Sequence, residues 1–433
     1  MLNLLLIQSF ILPSLPLLSN DTLVKSGGRG LVHRLIERDT ELEQYQSALK
    51  PVINGAPPKN LFSYGQTGVG KTLSLRMVVE RLIEDQQNID GVDVQVIELN
   101  CKSLNSSYQV AANLINQFRP ATEQIKPTGY PSGMIYNMLF DELEALDATH
   151  CLIVLDEIDA IGNDDDILYK LPRANDNENV EDTLVGVIGI SNDFTFRDNL
   201  SARVKDSLAD EEIHFPPYDA NELGNILKQR AGEAFHDTSA QRLDDGSYEL
   251  QSDILAGDVI PLCAAFAAQD SGSARQALKR LYKAGDLARD KESDVITEAH
   301  VRQADEIVER DKVRDELTRL PTQSKLTLYS LLLLEREDET PSKRNRIYER
   351  YVMAAKRIDA DVRTDRTIHD RLSQLTLKGF LDVDEQNKGP KGGSYYEYEF
   401  SIRADLAQEV LQEDERLAEL FATDETSTTL DSF

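Results

Sequence analysis

Gly65-Gln66-Thr67-Gly68-Val69-Gly70-Lys71-Thr72 is the stretch whose reading decides the fold. It follows an apolar lead, Leu61-Phe62-Ser63-Tyr64, that reads as a short strand, and it opens onto Leu73 to Val79, which reads as a helix. Its glycines let the chain bend back so that backbone N–H groups point into one concavity, a shape suited to phosphate oxygens. The helix that starts there adds the positive end of its dipole. In this strand–loop–helix setting Lys71 is expected to bridge the outer phosphates of a nucleoside triphosphate, and Thr72 to hold Mg²⁺.

The second half of such a site lies downstream. His150 to Leu155 is a continuous apolar run, as expected for a buried parallel strand, and it ends in Asp156-Glu157-Ile158-Asp159. That places two carboxylates at the C-terminal rim of the sheet beside the phosphate loop. Asp156 is expected to act through Mg²⁺ and Glu157 to polarise an attacking water. Leu184 to Ile190 is another buried strand, and it leaves Asn192 at the same rim. Gln95 to Asn100 alternates like a strand, while Tyr108 to Phe118 and Met134 to Leu146 read as helices. Arg119 to Pro131 reads as a loop or insertion and Asn163 to Val180 as an acidic surface loop. Ile213-His214-Phe215 is a last short strand before Pro216-Pro217, and Arg203 precedes it in Leu200 to Lys205. Strands alternating with helices predict a parallel α/β sheet.

From Tyr218 the pattern turns to helices only. Asp219 caps one that runs to Arg230, and others cover 260–269, 273–290 and 297–317. Gly272-Ser273-Ala274-Arg275 opens one of them, and an arginine in a first helical turn opposes the dipole and implies an anion partner. From Pro321 come an apolar helix, Leu326 to Leu334, a second, Asn345 to Ile358, and a third capped by Thr364 or Asp365. The third turns Ile368, Leu372 and Leu375 inward and leaves Arg366, His369, Asp370 and Ser373 outward. Phe380 to Val383 and Tyr395 to Ile402 read as strands around a Gly-rich tip that carries Lys388 and Lys391. Three helices and a hairpin make the winged form of helix-turn-helix. Its third helix can enter a major groove and its tip can approach phosphates or a minor groove. The same module also serves protein contacts.

A chain of 433 residues implies two or three domains. Its net charge of −29 argues against wholesale polyanion binding and fits a proteome adapted to high salt, with activity surviving molar KCl. The charge is uneven: residues 320–402 hold 14 Lys+Arg and 14 Asp+Glu, so the whole excess lies outside them. A neutral island in an acidic chain suggests a face that approaches something negative. Cys101, Cys151 and Cys263 are scattered, without a C-x-x-C or histidine pair, and read as buried thiols in a reducing cytoplasm. Residues 1–18 are apolar but broken by Pro13 and Pro16 and lack a basic start. They read as neither signal peptide nor membrane anchor, and 1–29 as an unstructured tail ending in the joint Ser26-Gly27-Gly28-Arg29-Gly30.

From about Gly30 to Ile402 the order of these pieces resembles the archaeal initiator ATPases related to origin recognition complex subunit one and cell division control protein six. The resemblance rests on Gly65–Thr72, Leu152–Glu157, Asn192, Arg203, Pro217-Tyr218, Arg230, Gly272–Arg275 and the terminal winged helix. It implies an α/β fold: an AAA+ P-loop parallel-sheet core (30–217), an all-helical lid (218–317) and a winged helix-turn-helix DNA-binding domain (318–402); the acidic tail beyond it (403–433) reads as amphipathic, then acidic and Ser/Thr-rich from Ala422, and carries no assigned chemistry. By that similarity Asn192 and Arg275 look like the two nucleotide sensors, Tyr218 and Arg230 like lid-side nucleotide contacts, and Arg203 like a finger for a neighbour's nucleotide. The family's usual Asp-Pro before that arginine is absent. Arg119–Pro131 lies where the family carries an insertion that touches DNA. ATP or ADP with Mg²⁺, duplex origin DNA, the replicative helicase and other initiator subunits, in a homo- or hetero-oligomer on the chromosome in the cytoplasm, are the implied ligands and partners, with slow hydrolysis as a switch. Two rival readings are a DNA-binding regulator with a structural nucleotide and a protein-remodelling ATPase. Asp156, Glu157 and Asn192 together argue for turnover.

Overall fold

The computed structural model of the protein describes residues 35–208, 210–387 and 394–421. The expected tail 1–29 and the hairpin-tip residues Lys388 and Lys391 lie outside them. The chain divides into two compact units, residues 1–304 and 305–433.

The first unit opens with α1 (Asp39–Ile53), whose Tyr45, Leu49 and Val52 share one buried stripe. It then alternates: β1 (Leu61–Gly65), α2 (Lys71–Gln86), β2 (Val94–Asn100), α3 (Ser107–Phe118), α4 (Ser132–Glu144), β3 (His150–Asp156), α5 (Asp166–Lys170), β4 (Leu184–Ser191), α6 (Phe194–Asn199), α7 (Ala202–Leu208) and β5 (Glu211–Phe215). The five strands form one sheet in the order β2-β3-β4-β1-β5, and every neighbouring pair is parallel. Side chains of β3 alternate between two apolar cores. Leu152 and Val154 join the cluster that holds α1 and α2, while Cys151, Ile153 and Leu155 join the one beneath α3 and α4. Both faces are covered, which explains why β3 reads as an unbroken apolar run rather than an alternation. All three cysteines are buried free thiols.

The same unit continues through α8 (Ala220–Ala234), β6 (Thr238–Arg242), β7 (Tyr248–Ser252), α9 (Val259–Asp270) and α10 (Ala274–Asp290). Asp219 caps α8 in a reciprocal box with Glu222. The expectation of an all-helical lid is corrected here, because β6 and β7 form an antiparallel hairpin. Its turn holds Gly246 at φ 87°, and its strands are mostly polar, so no apolar period announced them. Leu223, Leu227, Ala264 and Leu281 of this region belong to the same apolar cluster as Tyr45, Leu75 and Val78. Each fully buried leucine there contributes roughly 1.5–3 kcal/mol, so lid and sheet are joined by a shared core.

Helix α11 (Glu298–Thr318) contains the boundary at Ala304. The second unit holds α12 (Thr322–Arg336), β8 (Ser342–Lys343), α13 (Arg344–Arg357), α14 (Asp365–Leu377), β9 (Leu381–Asn387), β10 (Ser394–Phe400) and α15 (Ala404–Gln412). The strands form an antiparallel sheet in the order β8-β10-β9. Thr364 caps α14 by accepting the Thr367 N–H, and Ile368, Leu372 and Leu375 point into the core. The segment expected to be a tail from 403 does not behave as one through Phe421. Leu406, Leu411, Leu417, Leu420 and Phe421 pack into the winged-helix core, with Phe421 edge-on to Tyr329.

Among the described residues no helix is long and apolar enough to cross a membrane.

Candidate functional site

The phosphate loop runs from the end of β1 into α2, and it gathers side chains from three strand ends. Lys71 is 4% exposed, and its Nζ donates to the carbonyls of Gly65 (2.8 Å) and Gln66 (2.7 Å) and to Asn192 Oδ1 (2.9 Å). The pairing β1–β4 sets Tyr64 beside Ser191, which is why Asn192 arrives at the lysine. Thr72 Oγ1 donates to Asp156 Oδ2 (3.2 Å), so the loop and the end of β3 meet side chain to side chain.

Burial pulls Lys71 down to about 8. The Arg275 charge adds to this, and Asp156, Asp159 and Glu157 oppose it. Burial likewise raises Asp156, helped by Glu98 and Glu157 and opposed by bonds from Thr72 and the Glu157 N–H. The site is thus a partly desolvated place where a cation and a carboxylate face each other, the environment in which charges act most strongly. Glu157 stands at the rim with its backbone at φ 54°, its N–H donating to Asp156 Oδ1 (2.9 Å).

The lid motif lies directly on the loop. Gly68 O accepts the Ala274 N–H (3.1 Å), and Gly272 O accepts the Tyr218 N–H (2.9 Å). The fit needs glycine at both places. A Cβ on Gly68, at φ +84°, would lie 2.2 Å from Ser273 Oγ and 3.0 Å from Arg275 Cβ. One on Gly272, at φ +61°, would lie 2.6 Å from Pro217 Cβ and 2.7 Å from Tyr218 O. Ser273 caps α10 by accepting the Gln276 N–H, which sets Arg275 in the first turn above the loop. Tyr218 is buried with its hydroxyl close to Gly70. Gln66 and Thr67 are the exposed members of the loop, and Val69 is buried.

Other expected residues stand elsewhere. Arg203, half exposed on α7, bonds Asp166 (2.7 Å) and lies over the Tyr169 ring. Arg230 is buried on α8 and pairs with Glu233 one turn on (3.1 Å). On α14, Arg366 and Ser373 are exposed as expected. His369 is not fully outward: it is half-buried, and its Nδ1 is buried without a partner.

Two residues escaped the sequence reading. Asp159 Oδ1 accepts the Asn192 N–H (2.9 Å) and so orients the asparagine that meets Lys71. Arg38, just before α1, reaches Val69 O with Nε (2.9 Å). Asp159 stands in the quoted strand end, but no spacing gave it a role.

Among the described residues no group of three or more His, Cys, Asp or Glu is placed to hold a metal ion. Thr72 and Asp156 offer only oxygen ligands, the donor set of a hard cation that keeps water and phosphate oxygens in its shell.

Three family models match in chain order: an AAA domain over 57–192, a Cdc6 AAA+ ATPase-type lid domain over 247–306, and a CDC6 C-terminal winged helix domain over 315–410. The ORC1-type DNA replication protein 1 of Haloarcula marismortui is 98% identical over 400 residues, covering 92% of this chain and 94% of that one. The chain belongs to the ORC1-type DNA replication proteins. A second family member from that organism, ORC1-type DNA replication protein 11, is 45% identical over 87% of each chain. The Aeropyrum pernix ORC1 protein, whose structure was solved in complex with DNA, is 32% identical with a TM-score of 0.74, covering 90% of this chain and 96% of that one. The AAA+ core, lid and winged helix expected from the family are therefore present, and the halophilic source expected from the net charge agrees with the relatives from Haloarcula.

Proposed function

We propose that this ORC1-type protein is a nucleotide-switched initiator. It binds ATP with Mg²⁺ between core and lid, grips duplex origin DNA, and helps load the replicative helicase. The observation that carries the reading is the convergence of Lys71, Thr72, Asp156, Asn192 and the Gly272–Arg275 turn on one loop. In this reading the Gly65–Thr72 backbone cradles the phosphates and Lys71 leaves its loop carbonyls for the outer ones. Thr72 and Asp156 would hold Mg²⁺, which would supply positive charge against the phosphates. Glu157 orients the attacking water, and Asn192 and Arg275 report the terminal phosphate to sheet and lid. Tyr218 and Arg230 face the nucleotide from the lid side, and Arg203 serves a neighbouring subunit's site in an oligomer. Hydrolysis is slow and resets the state.

In the second unit Arg366, His369 and Ser373 of α14 meet base edges, and Lys388 and Lys391 meet the backbone. The winged-helix match and the DNA-bound relative support duplex DNA as the partner. Footprinting on origin repeats in molar KCl, with ATP or ADP, tests this. Protection that depends on Lys71 is expected, and no protection with either nucleotide rejects the reading.

A further inference from the structure

Two consecutive loop carbonyls are taken by different parts of the chain. Gly68 O accepts from Ala274 of the lid, and Val69 O accepts from Arg38 Nε (2.9 Å). Arg38 is 2% exposed. Its Nη2 donates to Pro216 O (2.5 Å), its Nη1 pairs with Glu41 (3.2 Å), and its guanidinium carbon lies 3.7 Å from the centroid of the Tyr218 ring. Pro216 to Asp219 is the segment through which β5 runs into α8, so these contacts grip the covalent joint between sheet and lid. Tyr218 N–H in turn donates to Gly272 O, two residues before Ala274. The links close into a ring: Val69, Arg38, the 216–218 joint, Gly272, Ala274, Gly68.

A planar guanidinium holds its donors in a fixed fork, so a shift of the Val69 carbonyl cannot be absorbed by a swivelling head group. It is delivered to the joint. Burying that charge costs desolvation that an aliphatic side chain of similar volume would avoid, so packing alone does not account for an arginine here. We propose that Arg38 is a positioning residue that couples the state of the phosphate loop to the angle of the lid. The proposal rests on the reading that ATP and ADP occupy this loop.

The test uses the full chain in molar KCl with a donor dye on Asn88→Cys, in the sheet region, and an acceptor on Asp244→Cys, in the lid hairpin. Both positions are exposed, and the three native cysteines are buried. Nucleotide affinity and the ATP–ADP difference in energy transfer are read separately. Arg38→Lys keeps the charge, but one ammonium cannot serve two carbonyls and a ring. It is expected to hold both nucleotides within about threefold of the labelled parent, a small loss of uniform binding, while the ATP–ADP difference falls below about a fifth of the parent's. Glu41→Gln, which removes only the ion pair, keeps the full difference.

If Arg38→Lys retains the difference, or if the parent binds both nucleotides and shows none, the proposal is overturned. If the parent binds neither nucleotide, the functional reading itself has failed and the proposal falls with it. Should Arg38→Lys lose its fold by circular dichroism, Arg38→Gln, which keeps a single amide donor without the buried charge, carries the test: the difference should drop by at least about half, and an unchanged difference overturns the proposal.

Discussion

Glu157 is held at φ 54°, a conformation most side chains avoid, at the rim where β3 ends. Such strain persists where the surroundings over-determine it, and functional rims are a usual place. If Glu157 orients a water, Glu157→Gln should leave ATP binding within a few-fold and slow single-turnover hydrolysis by about 10²–10⁴-fold; equal turnover in both proteins removes the glutamate from the chemistry. Gly272→Ala tests the seat of the lid instead. The new Cβ meets Pro217 and the Tyr218 backbone, which cannot swing aside, so thermal unfolding should report a loss of about 2–3 kcal/mol. At this scale the loop and Asp156 were legible because a motif fixes their spacing, whereas Asn192 was placed at the rim by the buried strand before it and took its role from the family resemblance. Arg38 was not, because its partners lie 31 and 178 residues away and nothing near Ile36 to Asp39 carries a period that points to them.

Among the elements, α15 is the instructive one. α15 (Ala404–Gln412) looked amphipathic in sequence and was given no chemistry, yet it and the turn after it complete the winged-helix core. Asp414, just beyond it, binds Lys325 of α12 at 2.6 Å, with both side chains largely buried. Burial pushes the Asp414 carboxyl up, but the bonds from Lys325 and nearby N–H groups outweigh it, and the group titrates below the ordinary carboxylate range. The sign follows: the folded state binds this proton less readily than the unfolded one. The stabilisation is full above about pH 4 and disappears as pH falls through the depressed value. Asp414→Asn should cost the unit about 1.5–3 kcal/mol at neutral pH and flatten that part of the acid limb; an unchanged melting profile would count against the contact. Periodicity gave α14 and its inward face because Ile368, Leu372 and Leu375 repeat at helical spacing. It missed β6 and β7 because a surface hairpin of Thr, Ser, Gln and Glu has no buried face to announce.

For the whole molecule, charge is the governing quantity. A net −29 spread over the surface repels itself at low ionic strength, while the neutral 320–402 segment adds nothing to that total. The unfolding midpoint should therefore rise steadily between about 0.2 and 2 M KCl as screening shortens the range of repulsion; a flat or falling curve would deny the halophilic reading of the composition. If the chain grips duplex as proposed, each phosphate contact loses affinity as salt rises, so the binding that survives in molar KCl must lean on base edges and shape. The order β2-β3-β4-β1-β5 has a consequence for biosynthesis. The strand that carries the phosphate loop leaves the ribosome before its sheet partners, yet both its neighbours, β4 and β5, are translated more than a hundred residues later. Until Phe215 clears the exit tunnel, nascent chains should fail to retain nucleotide on an affinity resin, and competence should appear abruptly rather than in proportion to length.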